Sequence, residues 1–271
     1  MDIEKLSNQN HWEDINSNAV KNSNIKTKGK GRFKLFTSSY LNQLLWDVTL
    51  PKYIEKNPLH KVIEIGSAPG NNLVKWHHQF QHIPYGVEYT ESGLKLNQEL
   101  FIANNLDPQN IIQADFFSES FLSQNKEKYD AVFSMGFIEH FDDPASVIKN
   151  HIELLKPGGT LFISIPNLKG LYHKVLKTVY PEILDIHNLN IMEFENFTAA
   201  FEKQSNLQKL YCGYLGTIDL NILQFKRYQF VGKLFRYFQM GLNFLCKIFL
   251  GNRGLETRTF SPYIVYIGKK N

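Results

Sequence analysis

Tyr129–Asn167 reads YDAVFSMGFIEHFDDPASVIKNHIELLKPGGTLFISIPN, and this stretch decides the fold. Asp130–Ser134 is a short apolar run of strand character. Asp143–Leu155 reads as a helix, with Asp143 as its N-cap and Pro144 at the first helical position. Pro157-Gly158-Gly159 stops that helix, and Thr160–Ile165 is a second apolar strand. A strand, a helix and a strand joined by short turns form one crossover unit of a parallel sheet.

The same alternation extends upstream. Lys61–Ile65 is an apolar run that ends in a glycine turn, and Asn72–Phe80 is helical. Pro84–Glu88 is a strand, Ser92–Asn105 a helix and Asn110–Ala114 a strand. Short strands separated by helices indicate a sheet covered on both faces. Before it, Leu41, Leu44, Leu45, Val48 and Tyr53 recur at helical spacing, so 38–56 reads as an amphipathic helix leading into the domain. After it, Leu207–Tyr214 and Phe260–Ile267 read as two more strands, with a long helical connector between them.

Composition narrows the class. In 271 residues the hydrophobic share is 43% and the charged share 21%, which excludes collagen-like, low-complexity and wholly disordered chains. A net charge of +4 is too weak to argue for nucleic acid. Two cysteines, Cys212 and Cys246, make neither a disulfide framework nor a self-contained zinc site. Residues 1–30 lack the apolar core of a secretory signal. The most apolar stretch, Leu242–Leu250, is interrupted by Asn243 and Lys247, so no spanning helix is expected. These features predict a cytoplasmic protein, soluble or membrane-peripheral. Residues 1–30, rich in Asn, Ser and Lys, read as largely mobile, with Trp12 as an anchor for a short docked segment.

The turn after the first strand, Glu64-Ile65-Gly66-Ser67-Ala68-Pro69-Gly70, lets a ligand approach backbone and a helix N-terminus. Glu88 ends the second strand, 22 residues after Gly66, where an acid can accept from both ribose hydroxyls. Together they predict a nucleoside-type site. Ala68 and Asn71 occupy the second and third glycine positions of a dinucleotide fingerprint, which disfavours a pyrophosphate there.

Ile138-Glu139-His140 after the fourth strand, the Asp-Asp-Pro helix start, the Lys-Pro-Gly-Gly turn and the Ile-Pro-Asn strand end resemble class I S-adenosylmethionine-dependent methyltransferases. Within them the chain looks most like the small-molecule O-methyltransferase branch that includes the ubiquinone-pathway enzymes. The resemblance covers about residues 40–210 and the final strand. It implies a Rossmann-like α/β sandwich of seven strands, mostly parallel with an antiparallel last strand. A helical N-terminal cover would occupy 31–60, the methyltransferase domain 61–216 and 258–271, and an insertion 217–257.

The resemblance also implies site roles. Glu64, Gly66, Ser67, Ala68 and Gly70 would surround the methionine part and sugar of S-adenosylmethionine. Glu88 would bind the ribose and Tyr89 flank the adenine. Asp115 would bond the adenine amine, Phe116 stack on the ring, and Ser134 and Met135 lie beside the sulfonium. His140, His187 and Glu139 are the candidate bases for a hydroxyl acceptor, though His140 and Glu139 read equally well as loop-shaping groups. Some relatives hold a divalent ion with an acid three positions before the Glu-His pair. Gly136 stands there, so no metal ligand is assigned. His77, His78, His82 and His151 read as surface residues.

The insertion carries Phe225, Tyr228, Phe235, Phe238, Leu242 and Phe249 at three- and four-residue spacing. Within 225–258, Lys226, Arg227, Lys233, Arg236, Lys247, Arg253 and Arg258 stand against one acid, Glu256. Such a segment reads as a lid over the pocket, packed by its apolar face, with peripheral membrane contact through 225–250. The expected partner is a small, apolar or lipid-linked acceptor and not nucleic acid. An RNA methyltransferase is the alternative, because the 66–70 turn resembles ribose 2′-O-methyltransferases, but their Lys-Asp-Lys-Glu set cannot be placed. An NAD-binding or non-catalytic relative is the other.

Overall fold

A computed structural model describes residues 3–7, 9–22, 38–223, 225 and 228–271. In chain order the elements are helix α1 (Gln9–Asn22), a helical run α2 (40–52), strand β1 (Lys61–Ile65), α3 (Asn71–Phe80) and β2 (Ile83–Glu88). Then come α4 (Glu91–Ala103), β3 (Ile111–Gln113), α5 (Glu119–Asn125), β4 (Tyr129–Met135), α6 (Pro144–Leu154) and β5 (Leu155–Pro166). The chain closes with α7 (Leu171–Val179), α8 (Glu182–Asp185), α9 (Phe194–Glu202), β6 (Leu207–Leu215), α10 (Gln229–Phe249) and β7 (Tyr263–Lys270).

The strands form one seven-stranded sheet in the order β3-β2-β1-β4-β5-β7-β6. Neighbours from β3 to β5 are parallel, and β7 runs antiparallel to both β5 and β6. This is the expected sandwich. Strand order reverses between β1 and β4, which opens a crevice at the carboxyl edge.

Period-two alternation sorts the core into two layers. Val62, Ala131, Phe133, Phe162, Val265 and Ile267 face α2, α3 and Phe101 of α4. Ile63, Val132, Leu161, Ile163, Ile264 and Tyr266 face α6, α7 and α9 on the other side. Rings lock the layers: Trp76 stacks on Phe133 at 4.6 Å, and Phe201 on Tyr266 at 3.7 Å. Burying each such side chain contributes about 1.5–3 kcal/mol. Caps fix the helices that reach the crevice. Thr90 Oγ1 accepts from Gly93 N, and Asp143 Oδ1 from Ser146 N, as its place before Pro144 predicts.

Four local readings change. The helix before β1 is irregular, with a π-helical stretch Gln43–Thr49 that buries Leu44, Leu45 and Trp46. β5 begins at Leu155 and not at Thr160; the chain leaves α6 already extended, with a register shift between Leu155 and Thr160 against β4. His82 and His151, expected at the surface, are buried. Trp76 Nε1 donates to His82 Nδ1 at 3.2 Å, and His82 Nε2 to Glu55 O at 2.9 Å. His151 lies on the apolar face of α6 and bonds Val147 O and Ser134 Oγ.

The fourth change is at the N-terminus, where mobility was expected apart from a short segment docked through Trp12, and the docked part is longer than that. α1 packs along α4, with Asn16 Nδ2 donating to Thr90 Oγ1 at 3.0 Å and Ser92 N to Glu13 Oε1 at 3.1 Å. Lys5 bridges Phe141, and Leu6 N donates to His140 O. These ties are mostly polar, so the segment lacks the apolar periodicity that would have announced it. The expected cover at 31–37, and the mobility expected for 23–30, lie outside the described residues.

Candidate active site

The crevice holds a cavity of about 260 Å³. Gly66, Ala68, Pro69 and Glu88 form one wall, Tyr89, Asp115 and Phe116 a second, and Gly136, Phe137 and His140 a third. A shallower cavity of about 410 Å³ adjoins it, and Lys5, Ser7, Tyr89 and Asp115 line both.

The glycine turn is shaped for close approach. Gly66 and Gly70 sit at φ +68° and +93°, where side-chain-bearing residues are strained. A Cβ on Gly70 would fall 2.5 Å from Asn97 Oδ1, which is buried below the turn. Ser67 faces the same way: its Oγ takes a bond from Asn97 Nδ2 and approaches Val87 O, so it supports the turn from beneath.

Glu88 is the best-prepared ligand group. Its Oε1 accepts from Tyr89 N at 3.1 Å, Thr90 N at 3.0 Å and Thr90 Oγ1 at 2.6 Å. Its Oε2 has one long contact, 3.4 Å from Ala68 N. One oxygen is pinned while the other remains to receive a ligand. Glu64, by contrast, lies below the cavity. Its Oε1 takes Asn72 Nδ2 at 2.9 Å, its Oε2 is buried without a partner, and burial pushes the carboxyl up to about 8.

At the far wall, Asp115 Oδ1 accepts from Phe117 N, and Oδ2 pairs with Lys5 Nζ at 3.1 Å. Lys5 Nζ also lies 5.4 Å from the ring centroids of Tyr89 and Phe117. Phe116 lines the cavity but is held edge-on to Phe137 and His151. Ser134 and Met135 do not line it. Ser134 is fully buried and donates to His151 Nε2, because His151 Nδ1 gives its proton to Val147 O. Gly136 and Phe137 take the place by the cavity that the sequence reading assigned to those two.

Glu139, His140 and His187 come together, each offering a ligand atom within 4.8 Å of the others. The rings of His140 and His187 are 4.4 Å apart. His140 Nδ1 donates to Ile186 O at 2.8 Å and His187 Nδ1 to Ile183 O at 2.6 Å, which leaves both Nε2 atoms as lone-pair nitrogens. Both Glu139 carboxyl oxygens are buried without a hydrogen-bond partner. Burial pushes Glu139 up to about 8, holds His140 down at about 3 with His187 adding to the effect, and lowers His187. An orphaned carboxyl beside two imidazole lone pairs has the donor set of a divalent cation site, although none was assigned from sequence.

No described residue of 38–60 or 217–257 lines the cavity. Its cover is the N-terminal segment instead: Lys5, Ser7, Trp12, Ile15 and Asn16 roof it. Trp12 stands edge-on to His140 at 5.0 Å and donates from Nε1 to Ser7 Oγ. Trp12 docks, as the sequence reading expected of it; Lys5, Ser7, Ile15 and Asn16, with Phe117, Phe137 and Phe141, were missed from sequence. The aromatic density of 116–117 and 137–141 was the available signal.

A family model described as a methyltransferase domain matches residues 39–208, more than half of the chain. The ubiquinone biosynthesis O-methyltransferase of Haemophilus ducreyi is 32% identical over 147 residues, which covers 52% of this chain and 60% of that protein. The mitochondrial ubiquinone biosynthesis O-methyltransferase of Dictyostelium discoideum is 26% identical over 132 residues, covering 42% and 39%. Each match therefore spans less than two thirds of the relative. Among solved structures, a possible histamine N-methyltransferase from Thermotoga maritima superposes with TM-score 0.55 at 14% identity, covering 96% of this chain and 99% of that one. Geranyl diphosphate C-methyltransferase from Streptomyces coelicolor, solved with Mg2+ and S-adenosyl-L-homocysteine, gives 0.55 at 12% identity over 85% and 79%. At such identities these likenesses show the fold. The chain belongs to the methyltransferase domain family, the class I group that uses S-adenosylmethionine.

Proposed function

We propose that this chain binds S-adenosylmethionine along the Gly66–Glu88–Asp115 side of the cavity and methylates a hydroxyl of an apolar or aromatic small acceptor at the His140 side. The observation that carries this reading is a single cavity with the ribose-type carboxylate on one wall and His140 on another. Similarity to ubiquinone-pathway O-methyltransferases favours oxygen as the acceptor atom.

When bound, the cofactor supplies a methyl group on a sulfonium, whose loss as a neutral thioether needs no acid. The protein's work is alignment and exclusion of water. Glu88 Oε2 accepts from the ribose hydroxyls, and the preformed bonds to Oε1 spare reorganisation on binding. Phe116, Phe137 and Phe141 make the acceptor end dry and flat-walled. His140 and His187, held as Nδ1–H tautomers, present Nε2 lone pairs that can take the hydroxyl proton.

The depressed basicity of His140 favours a second reading of the same three groups. An imidazole held at about 3 is a weak base toward an un-ionised hydroxyl. A divalent ion held by Glu139, His140 and His187 would displace the proton that burial keeps on Glu139 and lower the pKa of an acceptor hydroxyl beside it.

Calorimetry with S-adenosylhomocysteine tests the first reading, and absence of binding by folded protein defeats it. Labelled S-adenosylmethionine incubated with cell extract identifies the acceptor as a product one methylene heavier. Melting with and without Mn2+ or Zn2+ tests the second reading, with stabilisation expected and its loss expected in Glu139→Gln. Metal-independent melting of the wild type refutes it.

A further inference from the structure

We propose that the outer face of α10 is a docking surface for an anionic lipid membrane. The helix is fastened by its polar residues. Gln239 Oε1 accepts from Leu220 N at 2.8 Å, its Nε2 donates to Ile218 O, and Asn243 Oδ1 accepts from Tyr40 N at 3.2 Å. Gln239 and Asn243 are buried, whereas large apolar side chains face outward. Phe230 is 81% exposed, Tyr237 72%, Phe249 78%, and Phe238, Leu245 and Ile248 more than 45%. A surface helix normally turns its apolar stripe inward and its polar residues out. Here Phe235 and Leu242 do pack inward, but the two most buried positions are polar and the outward arc of this 21-residue helix is apolar as well.

Helical geometry sets the arrangement. At 3.6 residues per turn, Phe230, Tyr237 and Ile248 lie about 160–180° from Gln239, on the side away from the domain. Lys233, Arg236 and Lys247 lie along one border of that apolar arc, about 60–120° from Gln239. Lys247 is tied back to Ser38 through its Nζ, while Lys233 and Arg236 are exposed. No Asp or Glu occurs between Asp219 and Glu256, a stretch that holds Lys226, Arg227, Lys233, Arg236, Lys247 and Arg253. An apolar arc with a basic border and no acid complements an anionic interface. Water-soluble proteins rarely leave a contiguous apolar patch of this kind uncovered.

Spanning is excluded for the described helices, none of which is long and apolar enough to cross a membrane. The mode is therefore interfacial. α10 is also attached at the carboxyl edge of the sheet. β6 ends beside it at Leu215, and β7 begins at Tyr263, which pairs with both Leu215 and Pro166. That edge carries the cavity, so a docked membrane would lie at the end from which an apolar acceptor must arrive.

Vesicle sedimentation of the full chain tests the surface, using phosphatidylcholine alone and with about 30 mol% phosphatidylglycerol. Partitioning to the anionic vesicles should be at least about tenfold stronger, and about 0.5 M salt should remove most of the difference. Lys233→Ser with Arg236→Ser should weaken anionic binding by about 25-fold, and Phe230→Ser with Phe249→Ser by at least about tenfold. Both pairs are exposed, and unchanged melting checks that each variant folds. Equal partitioning to neutral vesicles, or no binding to anionic vesicles at low salt, overturns the proposal. So does a wild-type dimer by light scattering that ignores vesicles and is dissolved by the phenylalanine variant, since the face then belongs to a second copy. The assay reads no methyl transfer, so its failure and that of the proposed chemistry are separate.

Discussion

Replacing Glu88 separates its two jobs. The side chain is 5% exposed, so its bonds are made away from bulk water. Oε1 serves three donors, Tyr89 N, Thr90 N and Thr90 Oγ1, and Oε2 is the oxygen left for a ribose diol. In Glu88→Gln the amide oxygen can keep the three donors, so the β2–α4 turn should hold. The ribose then meets a neutral amide group in place of a carboxylate oxygen. A hydrogen bond to a charged group contributes about 1.5–3 kcal/mol against about 0.5–1.5 for a neutral one, so the loss should be about 1–2 kcal/mol. That is about a 5- to 30-fold weaker Kd for S-adenosylhomocysteine. Glu88→Ala removes both jobs. Affinity should fall by about tenfold or more, and stability by about 1–3 kcal/mol from the stranded Tyr89 and Thr90 N–H groups. Isothermal calorimetry reads the first effect and chemical denaturation the second. A folded Glu88→Gln protein that binds within about twofold of wild type would show that Glu88 does not hold the ribose.

Glu64, held at about 8 by burial, is protonated at pH 7 without ligand and should ionise beside a cationic ligand. Binding of S-adenosylmethionine at pH 7 should then release roughly one proton, seen as a buffer-dependent calorimetric enthalpy and lost in Glu64→Gln; a buffer-independent enthalpy refutes this. His151 is buried neutral, and burial lowers its pKa to about 4. A depressed imidazole pKa means the unfolded chain binds the extra proton. The corresponding stability, about 3 kcal/mol at most, is present above pH 6.5 and is lost as pH falls towards 4. His151→Gln should flatten that decline in denaturant titrations, and an unchanged slope would show that other groups cause it. Trp12→Ala, which removes the roof over His140, should weaken S-adenosylhomocysteine by about 2- to 10-fold without lowering global stability comparably.

The legible parts of this molecule were those governed by local period. Short runs of strand character between turn signals placed β1, β2 and β4, and Asp143-Pro144 marked the start of α6 to the residue. Gly66, Ala68, Glu88 and His140 line the cavity because turn chemistry and strand ends set their positions, whereas Asp115 was legible only through the family resemblance. The misread parts depend on long-range contacts. Nothing near Lys5 or Asn16 announces Asp115 or Thr90, 110 and 74 residues away. His140, His187 and Glu139 were candidates from sequence, but the carbonyls that fix the two rings, Ile186 O and Ile183 O, leave no sequence signature. His151 was readable, since Val147, Ile148 and Ile152 place it on an apolar helical face. The lid was assigned to the most aromatic segment, but α10 packs Phe235 against the domain and leaves Phe230, Tyr237, Phe238 and Phe249 facing away from it.

The roof and Glu88 are mechanically one unit. Asn16 donates to Thr90 Oγ1, which in turn donates to Glu88 Oε1, so a buried chain of two hydrogen bonds connects α1 to the carboxylate. The other closure is weaker. Lys5 and Asp115 are 36% and 49% exposed, and such a pair contributes about 0–1 kcal/mol. The cavity therefore has a loose gate at Lys5, beside the outer cavity, and a firm roof at Trp12 and Asn16. Opening the gate costs little and frees Asp115 for a ligand, while the roof can stay docked. By thermodynamic reciprocity, a ligand that steadies Glu88 also steadies Thr90 and the docking of α1. Under the proposed function, ligand entry past Lys5 would thus tighten the same segment that shields His140 from water, and so dry the acceptor end.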